Sequence, residues 1–171
     1  MNSKYFLLLL PCLLWTTHSL AQAPQQPPTR ELADFFSSIS KEELRALSRA
    51  QDTAEKLRIS KDLGERLTSK EAGKQWTVHC YNSSIPSQRG KTLTSLSSDP
   101  IRGQIRVNGE RINVTISANF NPSLHDKVKK CRAGQKIFIA GTVQLISLVT
   151  DAKLGLMADI TMNADDIGPD K

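Results

Sequence analysis

The chain has 171 residues and a formal net charge of +6, from 23 Lys and Arg against 17 Asp and Glu. That size points to one domain, or one domain with an appendage, rather than several. The basic excess is local: between residues 76 and 150 the only acids are Asp99, Glu110 and Asp126. Such a patch suits nucleic acid, an anionic glycan or a membrane surface, and a solvated strand face gives the same composition.

The N-terminus reads as a signal peptide over residues 1–23. Lys4 is the positive flank, Phe6 to Trp15 the short apolar core, and Ala21 and Ala23 the small residues that a signal peptidase needs. The expectation is a periplasmic or secreted product cut near Ala21 or Ala23, with no transmembrane segment in the mature chain. Residues 24–75 follow as a Pro/Gln tether and a helical segment. The tether reads as extended and mobile. Thr29 can cap a short helix bearing Leu32, Phe35 and Phe36. Ser40 and Glu43 then form a capping box that opens a longer helix. Leu44, Leu47, Ala50, Ala54 and Leu57 recur at helical spacing, Ile59, Leu63 and Leu67 continue it past a break near Ser60, and Gly73 ends it. Packing on the neighbouring barrel is the expected use of this face, with a coiled-coil partner as the alternative.

From Trp76 the apolar period falls to two, the strand period. Trp76, Val78 and Cys80 open the first strand, and residues 82–100 read as a long Ser-rich loop. Ile101 to Val107 and Ile112 to Phe120 are two strands joined by Asn108-Gly109, a dipeptide that accepts positive φ at both centres of a hairpin turn. Ser123–Cys131 reads as a short helix, Lys136–Ile146 as the next strand and Leu154–Met162 as the last, before an acidic, frayed tail at 166–171. The order is strand, loop, hairpin, short helix, strand, strand. It predicts a mainly β fold with an N-terminal α-helical segment: a five-stranded OB-type Greek-key barrel over 76–165.

Leu124, Val128 and the run Cys131-Arg-Ala-Gly134-Gln-Lys-Ile-Phe-Ile-Ala-Gly141-Thr-Val143 carry a resemblance. Here the chain resembles bacterial OB-fold proteins of the anticodon-binding-like group, in which a helix and a glycine step lead into an apolar strand. The resemblance spans roughly residues 100–165. It implies an architecture shared with nucleic-acid binders, and no particular activity.

OB barrels bind along the outer face of their second and third strands. That face would carry Arg102, Gln104, Arg106, Arg111 and Asn113, with Arg89 and Lys91 in the first loop and Lys153 near the second. Tyr81 and Phe138 are the aromatics placed to stack a base. No nucleophile elbow or carboxylate cluster is visible, so the expectation is a non-enzymatic binding module without cofactor or metal. Its partner would be a protein or an anionic ligand; a single-stranded nucleic acid and a glycan are the alternatives. Asn82 and Asn113 match the glycosylation acceptor pattern by chance. Cys80 and Cys131, alone in the mature chain, suggest one disulfide in an oxidising compartment, or else a pair of buried free thiols.

Overall fold

The computed structural model describes residues 27–82, 96–97 and 104–170. Three helices and six strands succeed one another: α1 (Lys41–Arg49), α2 (Thr53–Glu71), β1 (Gln75–Tyr81), β2 (Leu96–Ser97), β3 (Gln104–Val107), β4 (Glu110–Phe120), α3 (His125–Lys129), β5 (Lys136–Asp151) and β6 (Gly155–Pro169). Short 3-10 turns cover Leu32–Phe36 and Pro122–Leu124.

The sheet runs β1-β5-β6-β4, and β2 and β3 are successive pieces of one lane against β4. There are thus five lanes. All neighbours are antiparallel except β4 and β6, which run parallel from Ile112↔Leu156 to Phe120↔Ala164. As expected, β1 pairs with β5, from Gln75↔Thr142 to Tyr81↔Lys136. This is the OB strand order, and the sheet curls as a half-barrel. Among the described residues no ladder joins β1 to β2. The free edge of β1 instead takes the tether: Thr77 donates its amide to Pro28 O and its hydroxyl to Pro27 O, both at 2.9 Å, and Arg30 donates its amide to Thr77 O. Pro27–Thr29 is therefore pinned, where a mobile tether was expected.

Alternation decides which face is wet. On β4, Ile112, Val114, Ile116, Ala118 and Phe120 are buried and their alternates are not. Opposite them on β6 lie Leu156, Ala158, Ile160 and Met162, all buried. The helical segment belongs to the same core: Phe35, Phe36, Leu44, Leu47, Leu63 and Leu67 join the barrel residues in one apolar cluster. The capping box forms as read, with the Glu43 amide donating to the Ser40 hydroxyl and the Ser40 amide donating to the Glu43 carboxylate. Two helix expectations are corrected. The turn over Leu32–Phe36 starts at Glu31 with no side-chain cap, since Thr29 is held in the bridge to Thr77. The long helix breaks at Ala50–Asp52 rather than near Ser60, because the Asp52 carboxylate accepts from the Ala54 and Glu55 amides and starts a new helix.

Residues 166–169 are corrected too. They are the end of β6, paired as Ile139↔Ile167 and Ile137↔Pro169, and Ile167 is buried. An acidic composition there hid one apolar residue that needed a partner strand.

β5 carries register shifts at Ala140/Gly141 and at Val143/Leu145. At the first, a Cβ on Gly141 would lie 2.2 Å from the Asn163 carbonyl oxygen. Past the second, where β1 no longer covers β5, Thr68 of α2 takes the place of a neighbouring strand: its hydroxyl accepts from the Ile146 amide at 2.9 Å and donates to the Ile146 carbonyl at 3.1 Å. Gly141→Ala should therefore cost about 3 kcal/mol, the upper end of overpacking, measured by urea denaturation. A cost near zero would mean that the two strands separate there freely.

At the junction of tether, helix and sheet sits a buried ion pair. Arg30 Nη1 donates to Glu71 Oε2 at 2.9 Å, and the Trp76 indole donates to the same oxygen at 3.3 Å. The guanidinium lies between two rings, 4.7 Å from the Phe35 centroid and 4.6 Å from that of Trp76. Glu71 is wholly buried. Glu71→Ala leaves the arginine charge without its partner, so a loss of about 3–5 kcal/mol is expected in the same assay.

Candidate functional site

The hairpin sets the geometry of the basic face. Asn108 and Gly109 turn the chain with φ of 49° and 85°, so Val107 and Glu110 close the ladder, Arg106 faces Arg111, and Gln104 faces Asn113. In a two-residue hairpin the second pair from the turn is the non-hydrogen-bonded kind, whose side chains stand closest. Two guanidinium groups are thus held side by side on the outer face, both exposed. Neither has an ion-pair partner among the described residues. The nearby Glu110 carboxylate is engaged by Arg45 at 3.1 Å. Directly opposed like charges destabilise a strand pair.

Asn113 plays a different part from the one expected. Its amide donates to Leu154 O at 2.7 Å and to Leu156 O at 3.4 Å. It fastens β4 to the start of β6 and draws the β5–β6 turn alongside. Lys153 lies in that turn, which Asp151 closes by accepting from the Lys153 and Leu154 amides. Those amides hold the Asp151 carboxyl below the usual carboxylate range. Gln104, Arg106, Arg111 and Lys153 thereby share one polar region around Asn113. Arg89, Lys91 and Arg102 lie outside the described residues. One cation went unread in the sequence: Lys41, at the start of α1, extends its ammonium to the Gly109 turn. Only the packing of α1 on the hairpin brings it there.

The aromatic candidates do not join this face. Tyr81 is on β1, at the far end of the strand order, and is 39% exposed. Phe138 packs against Gly168, where a Cβ would come within 2.9 Å of its ring. Beside them His79 Nδ1 and Lys136 Nζ meet Asp170 Oδ2 at 3.0 and 2.7 Å. Lys136 above all, then His79, holds the Asp170 carboxyl below its ordinary range. Lys136 thus clasps the end of β6 to the sheet, through its ammonium and through its carbonyl, which accepts from the Asp170 amide.

The expected Cys80–Cys131 disulfide is not formed; both are buried free thiols. The reason lies in where the segment before β5 docks. Asn82 donates its side-chain amide to Cys131 O at 2.9 Å, and its backbone pairs with Gly134 and Gln135. The segment is thus anchored at Asn82, two residues and roughly 7 Å along the strand from Cys80. The Cys131 thiol turns to the Lys127 carbonyl at 3.5 Å. Asn82 itself is wholly buried, which closes its glycosylation pattern to any enzyme acting on the folded chain.

No family model matches the chain, and no curated protein does. Among solved structures it is similar to the mitochondrial single-stranded DNA-binding protein of S. cerevisiae, at 13% identity over 58% of this chain and 96% of that one, with a TM-score of 0.36. It is also similar to a DUF3299 family protein from Pseudomonas aeruginosa PAO1, at 15% identity over 84% of this chain and 97% of that one, with a TM-score of 0.38. Likenesses at this level decide nothing about the site, and the fold stands on strand order and register.

Burial pushes the Cys80 thiol up to about 12, and the neighbouring Cys131 adds to the shift. A thiol held neutral in the folded state stabilises it fully below the unfolded value near 9, and that stability is lost as pH rises from there toward 12. The native protein should therefore leave Cys80 and Cys131 unreacted with Ellman's reagent at pH 8, should expose both to it in urea, and should lose stability progressively above pH 9. Fast reaction of Cys80 in the folded state would contradict this packing.

Proposed function

We propose that this chain is an exported, non-enzymatic OB-fold binding module that docks an acidic surface of another envelope or secreted component through the outer face of β3 and β4. The observation that carries the reading is the opposed pair Arg106 and Arg111: two exposed guanidiniums, without an ion-pair partner among the described residues, at the position where an OB sheet presents its ligand face. The N-terminal pattern of Lys4, apolar core and small residues supports export.

Two further observations favour this reading over its alternatives. The inner side of the helical segment is taken up by packing, with Leu44, Leu47, Leu63 and Leu67 in the barrel's own core, so that side is closed to an acidic partner. Stacking of bases or sugars needs an exposed aromatic beside the cations, and Tyr81 and Phe138 lie elsewhere. A carboxylate-bearing protein surface needs only the arginines, each of which can grip a carboxylate through two parallel N–H donors.

The test is Arg106→Ser with Arg111→Ser. The double variant should lose retention on a heparin column while its thermal midpoint stays level or rises slightly, because the like-charge pair is gone. Unchanged retention removes the face from the binding surface. Tight binding of a single-stranded oligonucleotide, lost in the same variant and falling linearly in log–log with salt, would give the face to nucleic acid instead.

A further inference from the structure

Three of the large apolar side chains that the described residues leave exposed gather in one place: Leu57 at 69%, Leu145 at 50% and Val149 at 45%. They line a groove of about 280 Å³ between the N-terminal half of α2 and the stretch of β5 beyond its second register shift. Leu148 forms part of its strand side, and Lys61 and Glu65 stand on the helix rim. The second register shift brings Leu145 outward and Ile146 inward, which makes this wall apolar. Thr68 satisfies the strand at Ile146, so α2 is fixed over one end of the groove and the other end stays open.

We propose that a second copy of the chain docks in this groove, with the two α2 helices antiparallel about a two-fold axis and each Leu57 seated against the apolar floor of the other copy. The charges on the rim point to this occupant. Lys61 and Glu65 lie one turn apart on the groove side of α2, 72% and 69% exposed, and touch each other only at 3.8 Å. An exposed pair at that spacing contributes little, so both charges remain available. A two-fold axis reverses the order of residues, so Lys61 of one copy meets Glu65 of the other, twice, from a single patch that is complementary to itself. The same axis opposes the two helix dipoles. The arrangement also keeps like charges apart: the opposed arginines of β3 and β4 lie on a different face from the groove. A groove of this size accepts a leucine side chain, and an apolar centre with a charged rim is the ordinary composition of a dimer interface.

The experiment is sedimentation equilibrium of the purified protein and its variants. Wild type should be dimeric below about 100 μM. Leu57→Asp should raise the dissociation constant at least about 30-fold, as loss of a central apolar anchor does. Its thermal midpoint at monomeric concentrations should not fall, since Leu57 is outside the core. Lys61→Glu and Glu65→Lys should each weaken the dimer, and the two together should restore it to within about threefold of wild type, because the rim pairs re-form with signs exchanged. A wild type that stays monomeric at about 100 μM overturns the proposal, as does a dimer indifferent to Leu57→Asp or a charge swap that fails to rescue. A monomer that binds the apolar dye ANS, and loses it in Leu57→Asp, would assign the groove to a small apolar ligand and equally sink the second copy.

Discussion

One carboxylate holds four parts of this molecule together. Glu71 ends α2, and its Oε2 receives Arg30 from the tether and the indole of Trp76 from β1. Phe35, from the turn between tether and helices, closes over the guanidinium. The pair is removed from water, so it is worth little against an apolar substitute and a great deal against the loss of one partner. What it supplies is position. With Arg30 fixed, its backbone and that of Pro28 can meet Thr77, and the open edge of β1 is closed by the protein's own chain. An edge strand left bare is a template for unwanted pairing; here the residues before the first helix cover it.

The long β5–β6 hairpin is the second organising element. Its two register shifts let one strand serve two neighbours: β1 below Val143, and α2 above it. The helical segment and the barrel thus share a core, and the basic hairpin is braced from behind by the segment just before α1, where Asn108 donates its side-chain amide to Ile39 O. A rigid mount of this kind lets two like charges be held side by side without the strands parting.

Much of this was readable from local pattern. Period-two alternation marked β1, β4 and β5, and Asn108-Gly109 set the register that opposes Arg106 and Arg111. The capping box at Ser40 and Glu43 was legible because its chemistry is complete within four residues. What escaped was decided at a distance. Asp52 looked like one charge among many on a continuous amphipathic run, yet it caps a new helix. The acidic run before Ile167 suggested a loose end, and only the unpaired reach of β5 made it a strand. The bridging of Cys80 and Cys131 was inferred from number, compartment and the adjacency of their strands in a barrel; β1 and β5 do pair, but the separation of the thiols depends on where Asn82 anchors the segment before β5. In the site, the role of Asn113 was hidden in the same way: an outward polar residue on a strand gives no sign that its amide will tie down the next turn.

The parallel pairing of β4 with β6 sets the order in which the molecule can be made. β6 lies between β5 and β4, so the central lane of the sheet is the last of the described strands to be synthesised. Until residues 155–169 exist, the chain is two unlinked half-sheets, with β4 and β3 on one side and β5 and β1 on the other. Contacts this distant in sequence close slowly, and these cannot begin to close before β6 itself has been made.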